Sequence, residues 1–297
     1  MAEDLASWLA LHGVPGMGAA TFLKLIERFG TPRAALEKAT PADLTRMSRV
    51  APGLADEIRR ARDRIGDAER RIEALLTEGI RIITIEDGDY PKLLRRIRTP
   101  PPLLFCRGGF EKTDETAVAI VGATHPSQKG GEIAYEFGRR FAQAGHTVVS
   151  GYAHGIDSAG HLGAVEAGGR SIFVLATGIR RFHPRMRFPD TQALAANGAI
   201  ISECQPDQEW TGIAALARNR ITAGLSRAVL VVEGSVDSGT MATFKIARRE
   251  DIPCFVLDYD TPPPTALGNA IAIEQGGIPI RSYAEIGKII EVLNSYG

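Results

Sequence analysis

Six short apolar runs, at residues 117–121, 147–150, 171–176, 199–202, 228–233 and 253–257, alternate with segments of helical periodicity, and this alternation leaves few architectures open. The helical segments include residues 132–144, 158–168 and 240–250. Strands this short, separated by helices, predict a mostly parallel α/β sheet covered on both faces. Ligands of such sheets gather at the carboxyl ends of the strands.

The strand ends are where this chain places its small and polar residues. Val148-Val149-Ser150 runs into Gly151-Tyr152-Ala153-His154-Gly155-Ile156-Asp157, a turn with two glycines before a helix. Two readings fit it: the glycines permit a tight turn, or they let backbone amides and a helix N-terminus hold an anion, most often phosphate. Similar groups close other strands: Gly122 with Ser127, Thr177-Gly178, Ser202-Glu203 and Glu233-Gly234-Ser235. Ser238-Gly239-Thr240 then opens the helix after residue 239 and suits a second phosphate. Several cradles on one edge favour a polymer of phosphates, although a base-plus-phosphate ligand needs only two.

Nucleotide cofactors are disfavoured. Residues 122–131 form a loop too long, and with the wrong glycine spacing, for G-x-G-x-x-G, and no P-loop ending in G-K-S/T is present. Overall charge is silent, since 35 Lys and Arg balance 35 Asp and Glu. Locally, eight arginines stand against four acids between Arg170 and Arg227, a net of +4, which suits phosphate unless the 180–187 loop is simply a solvated basic surface. Phe182, Phe188 and Trp210 are candidates either for stacking on unpaired bases or for the core.

Residues 1–65 read as a separate small all-α domain, with residues 66–297 forming the sheet domain. Leu11-His12-Gly13-Val14-Pro15-Gly16-Met17-Gly18 joins two helical patterns in the manner of a helix-hairpin-helix, and a weaker copy follows at 48–54. Such turns can face a nucleic-acid backbone; a plain helical bundle is favoured over that, since the second hairpin lacks the paired glycines. Arginines and acids interleave over 56–73 as a salt-bridged helix surface. Cys106, Cys204 and Cys254, odd in number and far apart, read as free thiols of a reducing compartment. With an acidic N-terminus and no membrane-length apolar run, a cytoplasmic protein is expected. No cofactor is expected, and no metal: His154 and His161 lack a third ligand in range.

Several motifs together resemble the DNA-processing protein A (DprA, or Smf) family. They are Ala119-Ile120-Val121-Gly122 with Ser127 and Gly130, the 150–157 turn with His161 after it, Ile201-Ser202-Glu203, Arg218-Asn219-Arg220-Ile221-Thr222-Ala223-Gly224-Leu225-Ser226, Val231-Val232-Glu233, and Ser238-Gly239-Thr240-Met241-Ala242-Thr243. The resemblance runs from about residue 87 to 292. It implies an extended Rossmann-like doubly wound sheet that binds single-stranded DNA without catalysis, forms a homodimer and hands strands to a RecA-type recombinase. Carried over by position, the binding residues are Gly122, Ser127, Ser150, Gly151, His154, Gly155, Asp157, Arg218, Asn219, Arg220, Ser238, Gly239 and Thr240. Arg218 and Arg220 would pair with phosphate; Asp157 would order the turn by accepting amides.

The departures are specific. Gly122-Ala123-Thr124 stands where the family usually has Gly-Ser-Arg, and His154 where it usually has arginine, so two phosphate-gripping cations are replaced. Leu216-Ala217 replaces Phe-Pro, and no winged helix is expected after the sheet. Two competing readings follow. Nucleotide phosphoribohydrolases of the wider superfamily carry P-G-G-x-G-T-x-x-E, but here Thr240 is followed by Met241-Ala242-Thr243-Phe244, leaving only Glu203 and Glu233 as substitute carboxylates. A regulatory module that binds a protein partner would fit the lost cations.

Overall fold

A computed structural model describes residues 2–45 and 53–295. The chain forms two compact units, Met1–Gly88 with Pro101–Phe105, and Asp89–Pro100 with Cys106–Gly297.

The first unit carries α1 (Ala2–His12), α2 (Ala19–Phe29), α3 (Pro32–Lys38), α4 (Pro41–Thr45), α5 (Leu54–Arg62) and α6 (Ile65–Thr77), followed by β1 (Arg81–Thr84). The apolar residues spaced helically along α2 turn inward. Phe22 and Leu25 are buried, and Phe22 stacks on Trp8 with ring centroids 5.2 Å apart. Arg59–Asp56, Arg60–Glu57 and Arg70–Asp67 pair one turn apart, forming the salt-bridged surface that the interleaved charges predict. Of the weaker second hairpin, residues 48–52 lie outside the described residues.

The second unit runs through α7 (Lys92–Arg95), β2 (Leu103–Gly108, which begins in the first unit), β3 (Val118–Val121), α8 (Gln128–Gln143), β4 (Val148–Ser150), α9 (Ile156–Glu166), β5 (Ser171–Leu175), α10 (Thr191–Ala196), β6 (Gly198–Ser202), α11 (Gly212–Gly224), β7 (Ala228–Val231), α12 (Gly239–Arg249), β8 (Cys254–Leu257), α13 (Leu267–Glu274), β9 (Ile278–Ile280) and α14 (Ile286–Asn294). Seven of its strands stand in the order β6-β5-β4-β3-β7-β8-β9, and every neighbouring pair among them is parallel.

Alternation along each strand feeds two cores. Val118 and Ile120 of β3 pack with Leu230, Phe255 and the α8 residues Phe137 and Phe141 on one face, where Ile289 and Leu293 of α14 join them. Ala119 and Val121 point the other way, to Val229, Val231, Phe244 of α12 and Ala223 of α11. The sheet is therefore doubly wound and Rossmann-like. Helix starts fall earlier than periodicity suggests, because caps set them: Ser127 accepts from the Gly130 amide and begins α8 at Gln128. Gly268-Asn269, a pair of turn-type residues, lies inside α13. Asn269 explains that: its side chain donates to Val232 O and Leu257 O and accepts from the Gly234 amide, so a turn-type residue is used to fasten the helix to the sheet.

Candidate nucleic-acid interface

From β3 the chain steps outward through β4, β5 and β6, then returns to the other side of β3 with β7. The loops leaving β3 and β7 therefore diverge to opposite faces, and a crevice opens at the carboxyl ends of the two strands. A cavity of about 420 Å³ occupies it, lined by Gly122–His125 after β3, Gly151 and Asp157 after β4, Arg218 and Thr222 of α11, and Ser238–Thr240 at the start of α12.

Of the thirteen residues carried over by resemblance, eight line this cavity: Gly122, Gly151, Asp157, Arg218, Asn219, Ser238, Gly239 and Thr240. α12 presents an open N-terminus. Ser238 caps it by accepting from the Met241 amide, Asn219 Nδ2 donates to Gly239 O, and a Cβ added at Gly239 would meet nothing within 4 Å. The first amides and the positive dipole end thus face open space.

Arg218 forms the floor. Its Nη1 donates to Val174 O at 3.0 Å, while its Nε is buried without a hydrogen-bond partner. A Cβ on Gly151 would fall on this guanidinium, so a larger residue there would displace Arg218. Asp157 accepts the amides of Gly151 at 3.2 Å and Ala153 at 3.3 Å and so orders the turn from within. Burial pushes the Asp157 carboxyl up, against the pull of Arg218 and those amides. Burial likewise lowers Arg218, opposed by Asp157. A guanidinium keeps its proton in proteins, so Arg218 carries a positive charge into the cavity.

The other five residues are placed differently. Ser150 Oγ, wholly buried, donates to Ile120 O at 2.5 Å and ties β4 to β3. Gly155 has a φ of +75°, and a Cβ there would collide with Ala123 O and Thr124 O, so it serves the turn's geometry. Ser127 and its amide both donate to Glu233, which is fully buried and also accepts from Thr265 Oγ1 at 2.7 Å and Tyr259 OH at 3.3 Å. The α8 N-terminus is thereby occupied by a carboxylate of the protein itself. Arg220 donates to Glu203 at 2.6 Å and to Thr99 O at 2.8 Å, and its side chain is only 16% exposed. His154 is exposed and lines a neighbouring cavity.

The local excess of arginine is also reduced in three dimensions. Arg180 pairs with Asp207, Arg181 with Glu209, Arg187 with Glu166, and Arg170 with Asp114. Glu166 and Asp114 lie outside the 170–227 window, so counting charge along the sequence missed them. Phe182 is core, and Phe188 packs on Tyr152 at 5.5 Å, whereas Trp210 is 64% exposed. His161 is buried and stacked on Phe173 at 4.0 Å, its Nδ1 2.7 Å from Ser171 Oγ; burial pulls its pKa down to about 3. Two further lining residues lie inside the resemblance motifs but were not among the binding residues carried over from them. Thr222 stands one helical turn after Arg218, with its hydroxyl buried and unpartnered, and assigning helix α11 from the sequence would have put it on the same face. Thr243 lines the cavity one turn into α12 and donates to Gly239 O.

Fold and crevice together define a Rossmann-like α/β protein with an open crevice at the topological switch point of its sheet. The chain belongs to the DNA recombination-mediator protein A family, whose pattern matches residues 81–293. It is 32% identical to protein Smf of Synechocystis over 86% of this chain, and that match spans 65% of the Synechocystis protein. It is 31% identical to the DNA processing protein DprA of Bacillus subtilis over 73% of each chain. The structure of DprA from Streptococcus pneumoniae superposes on 97% of both chains with a TM-score of 0.72 and 25% identity. DNA processing protein A of Helicobacter pylori, studied for its single-stranded DNA binding mode, superposes on 72% of this chain and 95% of its own, with a TM-score of 0.58 and 26% identity.

Proposed function

We propose that this chain binds single-stranded DNA in the switch-point crevice and acts in DNA recombination without itself cutting or joining strands. The observation that carries the reading is the pairing of an open α12 N-terminus with the half-buried Arg218 guanidinium across one cavity. Both are phosphate-binding devices, and neither is sealed by a protein carboxylate as the α8 N-terminus is. The family's description as a recombination mediator and the single-strand binding of the Helicobacter pylori relative support the same conclusion. Handing the strand to a RecA-type recombinase, acting as a homodimer and working in the cytoplasm complete the proposal. Among the described residues no helix is long and apolar enough to cross a membrane.

Nucleotide hydrolysis is disfavoured by the carboxylates. Glu233 is buried and accepts four hydrogen bonds, and Glu203 is held by Arg220, so neither is placed as an acid over the cavity. Fluorescence anisotropy with labelled oligo-dT tests the binding directly. The protein should bind the single strand more tightly than a duplex of equal length, with affinity falling as salt rises. Absence of binding at low salt, equal affinity for duplex, or release of free base from nucleoside monophosphates would overturn the reading.

A further inference from the structure

A second cavity of about 390 Å³ adjoins the first and shares with it Thr124, Gly151, Ala153, Trp210 and Arg218. Trp210 thus borders both, and it stays 64% exposed, with Ile213 at 84% and Leu216 at 55% extending the apolar surface. Large apolar side chains left in water at the mouth of a charged cavity mark a contact surface. The chambers differ in chemistry. The first holds the α12 N-terminus and the unpartnered Thr222 hydroxyl. The second is floored by Tyr152 and Phe182, with Arg185 4.1 Å above the Tyr152 ring and His154 and His183 also in its lining.

Resting on the single-strand reading above, we propose that Trp210 divides the site into two nucleotide bays, and that Arg218 holds the phosphate joining them. One phosphodiester lies between two nucleosides in a strand, as one guanidinium lies between two cavities here. The guanidinium lines both cavities and its Nε has no acceptor in the protein, so a phosphate between them meets a charge that no carboxylate has taken. The indole then stacks on a base, an interaction that tolerates any sequence because every base has a π-face. The smallest unit held with full use of the site is a dinucleotide step.

The chain has two tryptophans, and Trp8 is buried in the helical unit, so emission changes on DNA binding report Trp210. Oligo-dT should quench the emission, and the quench should vanish in Trp210→Phe while anisotropy shows that this variant still binds. Trp210→Ala should weaken oligo-dT binding about 5- to 100-fold. The dinucleotide pdTpdT should compete with oligo-dT far better than dTMP does. Salt-sensitive binding of oligo-dT with no quench, and with Trp210→Ala indistinguishable from wild type, would overturn the two-bay division and leave the single-strand reading standing. No oligo-dT binding by any variant would remove both.

Discussion

The N-termini of α8 and α12 begin alike and end differently. Each follows a sheet strand through a glycine-bearing loop, and each is capped by a serine that accepts from the amide three residues on. At α8, Glu233 reaches in from the end of β7, takes both the amide and the hydroxyl of Ser127, and fills the anion site. At α12 no carboxylate among the described residues takes the cap's donors, and the helix opens on the cavity. Arg218 and Arg220, two residues apart on α11, repeat the contrast. One lines the cavity and keeps a buried donor unpartnered, while the other is consumed by Glu203 and Thr99. A sequence motif can mark an anion cradle, but whether the cradle is vacant depends on which charges the fold brings to it from elsewhere.

The contrast breaks first at Glu233. Replacing it with alanine strands the Ser127 amide and hydroxyl, Thr265 and Tyr259 without their acceptor, and should cost about 3 kcal/mol or more in denaturant unfolding, since each unsatisfied buried group costs about 1–3 kcal/mol. If DNA instead reaches Ser127, the variant will keep its stability and bind oligo-dT more tightly, because a repelling charge has gone.

A pH titration examines what keeps the open side rigid. His161 packs under Tyr152 at 6.1 Å between rings, and its pKa is lowered by burial to about 3 from 6.5. The folded state therefore binds fewer protons than the unfolded state between those values. Stability is full above pH 6.5 and is lost progressively as pH falls toward 3, by about 2 kcal/mol between pH 7 and pH 5. His161→Phe should flatten that part of the profile; an unchanged slope would show that other groups set it.

The smallest difference lies in the two caps. Ser238→Ala should cost about 1 kcal/mol, the usual loss of an N-cap. Ser127→Ala should cost more, about 2 kcal/mol, because it also removes a hydrogen bond to a buried carboxylate. Equal losses would mean that Glu233 does not seal α8.

Much of the architecture was legible because strand alternation and the length of apolar runs are local signals. All six predicted strands between residues 117 and 257 are present, and the ends of β3, β4 and β7 do converge on one cavity. What escaped the sequence was non-local. Nothing near Ser127 announces Glu233, 106 residues away. Nothing near Arg170 announces Asp114, and nothing within the 180–187 loop shows that Arg185 lies over the Tyr152 ring. Nothing beside Asn269 announces its three hydrogen bonds to groups of the sheet and the loop after β7.

The most direct measurement is the salt dependence of oligo-dT affinity for Arg218→Ala and Arg220→Ala beside the unaltered chain. Arg218→Ala should lose about tenfold or more in affinity and lower the slope of log K against log salt by about 1, while keeping its fold. Arg220→Ala should lose thermal stability yet keep the wild-type slope. The reverse pattern, with the slope lost at Arg220 and kept at Arg218, would contradict the placement of DNA in the switch-point crevice.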